Sequence, residues 1–229
     1  MGESIVKVQV FHDPILFYLG LVPITETMLT SLGVAIVLGG VAAALGRTLV
    51  QRTNNLPAAI AEYAYETLDQ LTTDVVGKNV PWLTAFSGSL FLFIAASNVL
   101  GQLPGVWSPM ANLGSTSAMA VIVFLAVPVA GIRAHGLSGY LKHYFQPNPL
   151  FMPLHLISEL SRTLALSVRL FGNMASGHLI VALLVSLVGL LVPVPMMALD
   201  LLIGLLQAYI FCILSTVYIG AALRAGEVS

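Results

Sequence analysis

The feature that most constrains this chain is a set of long apolar runs, one of which contains an arginine. The run Leu164–Val192, LALSVRLFGNMASGHLIVALLVSLVGLLV, is long enough to cross a bilayer, which takes about 20 residues of helix. Arg169 lies inside this run. A charge at mid-membrane costs at least about 2.5–3.5 kcal/mol, so such residues are rare and usually functional. The simplest reason to keep Arg169 is that something charged must pass beside it.

The composition is that of an integral membrane protein. Of the 229 residues, 58% are hydrophobic and only 8% are charged, whereas a soluble domain carries roughly 25% charged residues. The apolar runs are continuous rather than alternating, which predicts an all-α membrane protein and not a barrel. A net charge of −1 argues against a nucleic-acid partner. Cys212 is the single cysteine, so no disulfide framework is expected.

The apolar runs predict about five transmembrane helices in a single polytopic membrane domain, residues 1–229. The predicted spans are Thr27–Leu49, Pro81–Leu100, Ala118–Ile132, Leu154–Leu191 and Met196–Ala225. The last two, joined by the VPVP turn, predict a helical hairpin over residues 154–226. Its first helix is too long to cross upright, so we expect it to tilt strongly or to lie partly along the membrane.

The segments outside the spans are predicted as a lead-in, an amphipathic helix and loops. Residues 1–26 form an extramembrane lead-in that does not match a cleaved signal. The segment Pro57–Val76 alternates carboxylates with apolar residues and predicts an amphipathic helix at or outside the membrane surface. It is either a solvated helix packed on its own protein or a docking surface. Residues 101–117 and 133–153 are predicted as loops, since both are rich in turn-forming residues.

Basic residues fall in the connections of one side only, namely Arg47, Arg52, Lys78, Arg133, Lys142 and Arg224. The positive-inside rule then places the C-terminus in the cytoplasm and the N-terminus outside, in agreement with five spans. The amphipathic segment falls on the cytoplasmic side.

The final hairpin holds a small set of polar residues: Glu159, Arg162, Arg169, Asn173, His178, Asp200 and Gln207. Their spacing puts Arg162, Arg169 and Asn173 on one face of the first helix, and Asp200 and Gln207 on one face of the second. If Arg169 faces Gln207, His178 lies about 13 Å and Asp200 about 10 Å toward the turn. These two would form a pair at one depth that can take up and release protons. The same spacing turns His178 away from the face of Arg169.

Ordinary structural roles are open for most of these residues. Glu159 and Arg162 can neutralise each other, His178 can be a satisfied buried histidine, and Asn173 and Gln207 can bond helices together. Arg169 lies too deep for such a role. A permanently charged guanidinium can attract a carboxylate on a neighbouring protein and drive it to release a cation. It also prevents a cation from leaking directly between two water-filled half-channels. No carboxylate of this chain is well placed as the carrier, so a partner is needed.

Two stretches, PLHLISELSRTLALSVRLFGNMASGHLI and LLQAYIFCILSTVYIGAAL, resemble subunit a of the F-type ATP synthase membrane sector, bacterial type. The resemblance implies that Arg169 is the stator arginine facing the ring of c subunits and that Gln207 is its polar partner. Asn173 would line the ion path, and Ser158 and Glu159 the cytoplasmic half-channel. His178 stands where many relatives have a glutamate and Asp200 where they have a histidine, so the acid and the imidazole are exchanged between helices.

The resemblance also implies the function. Such a subunit provides two ion half-channels and couples proton or sodium translocation to rotation and to ATP synthesis or hydrolysis. It is not an enzyme by itself, it carries no cofactor or metal, and the chain contains no Gly-rich phosphate loop. The implied partners are the c-ring, the subunit b peripheral stalk, the remainder of the complex and the lipid bilayer. The implied location is the bacterial inner membrane.

Two other classes of protein are weighed against this interpretation. A self-contained secondary ion transporter or channel commonly shows an internal repeat, and none is visible in the sequence. A haem-binding redox subunit needs paired histidines on facing helices. The histidines of the hairpin, His155 and His178, both lie on its first helix.

Overall fold

The computed structural model describes residues 15–19, 22–50, 56–103, 108–145, 152–189 and 193–224. These residues form six long helices: α1 (Glu26–Val50), α2 (Leu56–Val76), α3 (Pro81–Gly101), α4 (Leu113–Phe145), α5 (Met152–Val188) and α6 (Pro193–Arg224). All except α2 are long and apolar enough to cross a membrane, which gives five candidate spans among the described residues. The prediction of an all-α membrane protein with five spans is confirmed.

A short β-hairpin precedes α1 and was not predicted. Strand β1 (Ile15–Leu19) pairs antiparallel with β2 (Val22–Thr25), with an irregularity in the register between Ile15 and Phe17. Both strands are rich in β-branched and aromatic residues, which favour extended backbone. Residues 1–14 of the predicted lead-in lie outside the described part of the chain.

The fourth helix is much longer than predicted, and both loop predictions were wrong at its ends. It begins at Leu113 because Asn112 caps it: the Asn112 Oδ1 accepts a hydrogen bond of 2.7 Å from the Gly114 amide. At the other end the helix continues past Arg133, and the chain bends at Gly136, where φ is +72°. Glycine accommodates this left-handed conformation, and the next proline is Pro147. Charged residues therefore did not end the helix.

The final hairpin has the predicted form, with a shifted turn. Helix α5 ends at Val188. The next residue, Gly189, has a φ of +84°, and its amide donates a hydrogen bond to the Val185 carbonyl. Helix α6 begins at Pro193, earlier than predicted, because proline suits the first turn of a helix. With 37 residues α5 measures about 55 Å, well beyond the bilayer core of about 30 Å. An upright crossing of the whole helix is therefore excluded.

The core lies between α3, α4, α5 and α6. Its central cluster is formed by large apolar side chains of all four helices, together with Met110 of a short 3₁₀ helix, Pro109–Ala111. Leu170 of α5 and Phe211 of α6 are fully buried in it. Helix α1 packs at the periphery, and most of its large apolar side chains are exposed. The last two spans therefore pack directly against α3 and α4.

The amphipathic helix α2 is attached by its C-terminal half. The Asp69 carboxylate accepts hydrogen bonds from Asn79 and Thr84, each 2.9 Å long, and Thr72 bonds to Thr84 at 2.8 Å. The Arg224 guanidinium of α6 donates to the carbonyl of Val76 at 2.7 Å and to that of Val75. The N-terminal half is exposed. The C-terminal half thus follows the first interpretation of this segment, a helix packed on its own protein.

Candidate functional site

Arg169 projects from the exposed side of α5. It makes no hydrogen bond and no ion pair with any residue that the structure describes, and its side chain is exposed. Leu164 and Val168 of the same helix are 64% and 58% exposed, whereas Leu166 and Leu170 are buried in the core. Arg169 is thus an exposed cation on a helix surface that is mostly apolar.

Two polar side chains on the inner side of the hairpin have buried donors with no partner among the described residues. These are the Nδ2 of Asn173 on α5 and the Nε2 of Gln207 on α6. A buried donor left without a partner costs about 1–3 kcal/mol, and ordered water commonly supplies the missing bond. The interior between α5 and α6 is therefore suited to water.

A cleft of about 90 Å³, measured as space open to the centres of water molecules, lies between α5 and α6. Since one water needs about 10–15 Å³ on this measure, the cleft has room for several. Its polar lining comes from Asn173 and Ser176 on one helix and Asp200 on the other. Ile180, Val181, Met196, Leu199 and Ile203 supply the apolar lining. The cleft is a polar indentation in an apolar wall.

Asp200 is held at this cleft from two sides. Its Oδ2 accepts a hydrogen bond of 2.9 Å from the Nε2 of Gln102, in the turn after α3. On the other side it lies against Gly177 of α5, where a Cβ atom would stand 2.7 Å from Oδ2 and closer still to Oδ1. Only glycine leaves room for the carboxylate at this point of α5.

His178 has a carbonyl oxygen beside each ring nitrogen. Nδ1 lies 3.0 Å from the Met174 oxygen of its own helix, and Nε2 lies 3.1 Å from the Gly101 oxygen at the end of α3. A carbonyl oxygen can only accept, and a neutral imidazole carries one N–H. The site therefore satisfies a proton on either nitrogen and satisfies both in the imidazolium form. His178 is half-buried, in contrast to exposed Arg169, so the two face different sides of α5 as predicted.

The predicted pair of His178 and Asp200 meets at one end of α3. Gly101 touches the imidazole and Gln102 bonds the carboxylate, so both groups lie at neighbouring residues of a single turn. The other predicted relation, Arg169 opposite Gln207, shows no direct hydrogen bond, since Arg169 is exposed and Gln207 is buried. The structure gathers the titratable pair and leaves the arginine apart.

The polar residues in the first half of α5 are also separate from the cleft. Ser158 is exposed and Glu159 is half-buried. Arg162 lies over the ring of Tyr218 on α6, with 4.5 Å from its Cζ to the ring centroid. A cation in this position interacts with the face of the ring. Arg162 therefore has a contact with α6.

Two polar residues, one within α3 and one at its C-terminal end, were not predicted from the sequence. Gln102 fell in a predicted loop, and its position close to the end of a predicted span was the only sequence signal that it could contact other helices. Asn98 is buried, both its side-chain polar atoms lack a partner among the described residues, and it packs on Gly204 of α6. An asparagine inside an apolar span was the available signal, because such residues usually bond across helices or line a path.

These features define a class: a polytopic membrane protein whose last two helices carry a polar cleft and an exposed arginine without an ion pair among the described residues. The chain matches the family model "ATP synthase A chain" over residues 27–220. It therefore belongs to the ATP synthase subunit a family, whose members are non-catalytic subunits of the membrane sector of that complex.

Individual relatives cover almost the whole chain. It is 43% identical to ATP synthase subunit a 2 of Picosynechococcus sp., over 96% of this chain and 95% of the relative. Subunit a 1 of Chlorobium luteolum is 43% identical, over 90% and 93% of the two chains. Subunit a of Legionella pneumophila is 38% identical, over 92% of each. The resemblance seen in the two sequence stretches is confirmed at the level of the family.

Proposed function

We propose that this subunit conducts ions past Arg169 and couples their passage to the rotation of a ring of c subunits. The observation that carries the proposal is the exposed guanidinium of Arg169 on an apolar surface, without an ion pair among the described residues. A charge held in an apolar environment needs a counter-charge. A carboxylate on a partner within the membrane would supply it.

The cleft between α5 and α6 would serve as one half-channel. It provides space for water and polar groups along its wall, with Asp200 toward the turn and Asn173 nearer to Arg169. His178 lies outside this lining, with its Nε2 3.1 Å from the Gly101 oxygen at the end of α3. Gln207, buried with an unpartnered donor, would extend this path through α6. An ion could thus descend through hydrated groups to the depth of the arginine.

The second half-channel would start near Ser158 and Glu159, in the first half of α5. Arg169 would separate the two half-channels. A cation moving directly between them would meet the fixed positive charge, which raises the barrier to a leak. Passage would then require the ion to bind to a carboxylate of the ring and travel with it.

The exchange at Arg169 conserves charge. A ring carboxylate that arrives neutralised by its ion is attracted to the guanidinium and releases the ion to the exit path. The bare carboxylate then moves on and takes up a new ion from the entry path. The chain itself forms and breaks no covalent bond. The transported ion is a proton or sodium, and the titratable groups His178 and Asp200 suit a proton path.

The arrangement in the cell follows from the charge pattern. We place the subunit in the bacterial inner membrane with its N-terminus outside, because the basic residues cluster in the connections of one side. The partners would be the c-ring on the face of Arg169, subunit b of the peripheral stalk and the remainder of the complex. ATP chemistry would take place elsewhere in that complex.

The test is ATP-driven ion pumping in inverted membrane vesicles that contain the whole complex. Wild type is compared with Arg169→Ala, with and without sodium, and with Val168→Ala as a control at the adjacent exposed residue. We expect Arg169→Ala to assemble and to lose pumping, whereas Val168→Ala pumps. The dependence of the pumping rate on sodium identifies the transported ion as sodium or a proton. Equal pumping by wild type and Arg169→Ala would make the arginine structural and overturn the proposal.

A further inference from the structure

The turn that follows α3 contributes to the ion path from outside the final hairpin. Gln102 occupies the C-cap of α3, and its backbone amide is bonded to the carbonyls of Val99 and Leu100. Its side chain is half-buried and reaches α6, where Nε2 donates to the Oδ2 of Asp200 at 2.9 Å. A fixed backbone and a direct hydrogen bond make Gln102 a defined support for this carboxylate.

The support acts on one oxygen of the carboxylate only. Oδ2 is bonded by Gln102, while Oδ1 makes no hydrogen bond with any residue that the structure describes. Asp200 also lines the cleft, and Gly177 blocks movement of the carboxylate toward α5. The side chain is thus oriented with one oxygen engaged and the other available to water or an ion.

We propose that Gln102 is a positioning residue for ion transfer, which orients Asp200 so that Oδ1 exchanges the ion with the cleft. The inference rests on the proposed function of the cleft as a half-channel. Asp200 packs on Gly177 of α5, whose neighbour in sequence is the titratable His178, and the end of α3 contributes the uncharged Gly101, Gln102 and Leu103. The remaining residues that line the cleft are uncharged as well. Gln102 is therefore the uncharged donor that can fix the carboxylate without neutralising it.

The test uses the whole complex in inverted vesicles and measures the initial rate of ATP-driven pumping as a function of pH. Gln102→Leu replaces the hydrogen-bond donor with an apolar side chain of similar size. Gln102→Glu keeps the shape but can donate only when its carboxyl is protonated. Leu103→Ala, at the exposed neighbouring position, is the matched control. The amount of assembled complex is measured for each variant.

We expect Gln102→Leu to lower the rate about tenfold, the size expected for a lost hydrogen bond to a charged group. Gln102→Glu is expected to approach wild type at low pH and to fall as the pH rises, because an ionised carboxylate repels Asp200. Leu103→Ala is expected to pump normally. Wild-type rates for both Gln102 variants at every pH would overturn the proposal. An equal, pH-independent loss in both would also overturn it, since that pattern marks a purely structural role.

A double-mutant cycle with Asp200→Asn asks whether Gln102 acts through Asp200. If it does, Gln102→Leu causes no further loss in the Asp200→Asn background. If Gln102→Leu lowers the pumping rate by the same factor in the Asp200→Asn background as in wild type, the proposal is overturned. If Asp200→Asn pumps too slowly to measure, the comparison of Gln102→Glu with Gln102→Leu decides. Arg169→Ala is measured in the same experiment. Normal pumping by Arg169→Ala refutes the proposed function. If Arg169→Ala does not pump but Gln102→Leu pumps normally, only the role of Gln102 is refuted.

Discussion

The carboxylate of Asp200 on α6 rests directly on the backbone of Gly177 on α5. The space that a Cβ of residue 177 would need is occupied by the carboxylate, whose Oδ2 would be 2.7 Å away. The contact joins the two helices of the final hairpin at the level of the cleft. The position of Asp200 therefore depends on a glycine at position 177. Gly177 lies one turn after Asn173 on α5.

Gly177→Ala is expected to displace Asp200 from the cleft. Overpacking at a tight contact costs about 1–3 kcal/mol, and the carboxylate would have to leave Gln102 to relieve it. We expect ATP-driven pumping to fall about tenfold or more in assembled complexes. Gly33→Ala is the control, because no atom lies within 4 Å of the Cβ position there. Normal pumping by Gly177→Ala would show that the position of Asp200 is unimportant.

His178→Ala is expected to slow pumping and to shift its pH dependence. The imidazole is the titratable side chain that faces the Gly101 carbonyl, and its removal takes a proton-binding group from the path. The measurement is the pumping rate between about pH 5.5 and 8.5. A reduced rate with an unchanged profile would assign His178 to the packing of α5 on α3.

The hydrogen bond between Ser87 of α3 and Thr216 of α6 is expected to stabilise the packing of these spans modestly. The two buried hydroxyls lie 2.8 Å apart. Interhelical hydrogen bonds in membranes contribute about 0.6 kcal/mol on average. Ser87→Ala should lower the temperature at which the subunit is lost from the detergent-solubilised complex. Adding Thr216→Val should cost little more, because the interhelical bond is already lost and the other bond of the Thr216 hydroxyl, to the Cys212 carbonyl at 2.9 Å, lies within its own helix. Strictly additive effects would contradict a direct bond.

The contact of Arg162 with Tyr218 is expected to depend on the aromatic ring and not on its hydroxyl. The guanidinium lies 4.5 Å from the ring centroid. Tyr218→Phe should therefore resemble wild type in thermal stability of the complex, whereas Tyr218→Leu should lose about 0.5–1 kcal/mol. If Tyr218→Phe were as unstable as Tyr218→Leu, the hydroxyl would be the important group.

The five spans were predictable because the length of an apolar run is a local property of the sequence. The places where the prediction failed depend on geometry at single residues. Arg133 suggested a loop, yet the helix continues until Gly136 adopts a left-handed φ. Pro193 was assigned to a turn, although proline is well accommodated in the first turn of a helix.

The site was predictable only where its residues share a helix. Helical spacing correctly separated His178 from Arg169 and set Asp200 near the depth of His178. It could not predict the contribution of Gln102, which meets Asp200 across 98 residues of chain. Such a contact depends on how α3 and α6 pack, and no local pattern encodes that.

The bond between Arg224 and the end of α2 has a consequence for the order in which the protein can be made. It joins residues 148 positions apart, so the Val76 carbonyl receives its partner only after the last helix has been synthesised. Until then the carbonyl must be bonded by water, because a polar group without a partner is costly in lipid. The bonds of Asp69 and Thr72 to Asn79 and Thr84 can form as soon as α3 is made, whereas this last bond at the end of α2 has to wait for α6. Arg224 thus completes the attachment of α2 only after α6 has been synthesised.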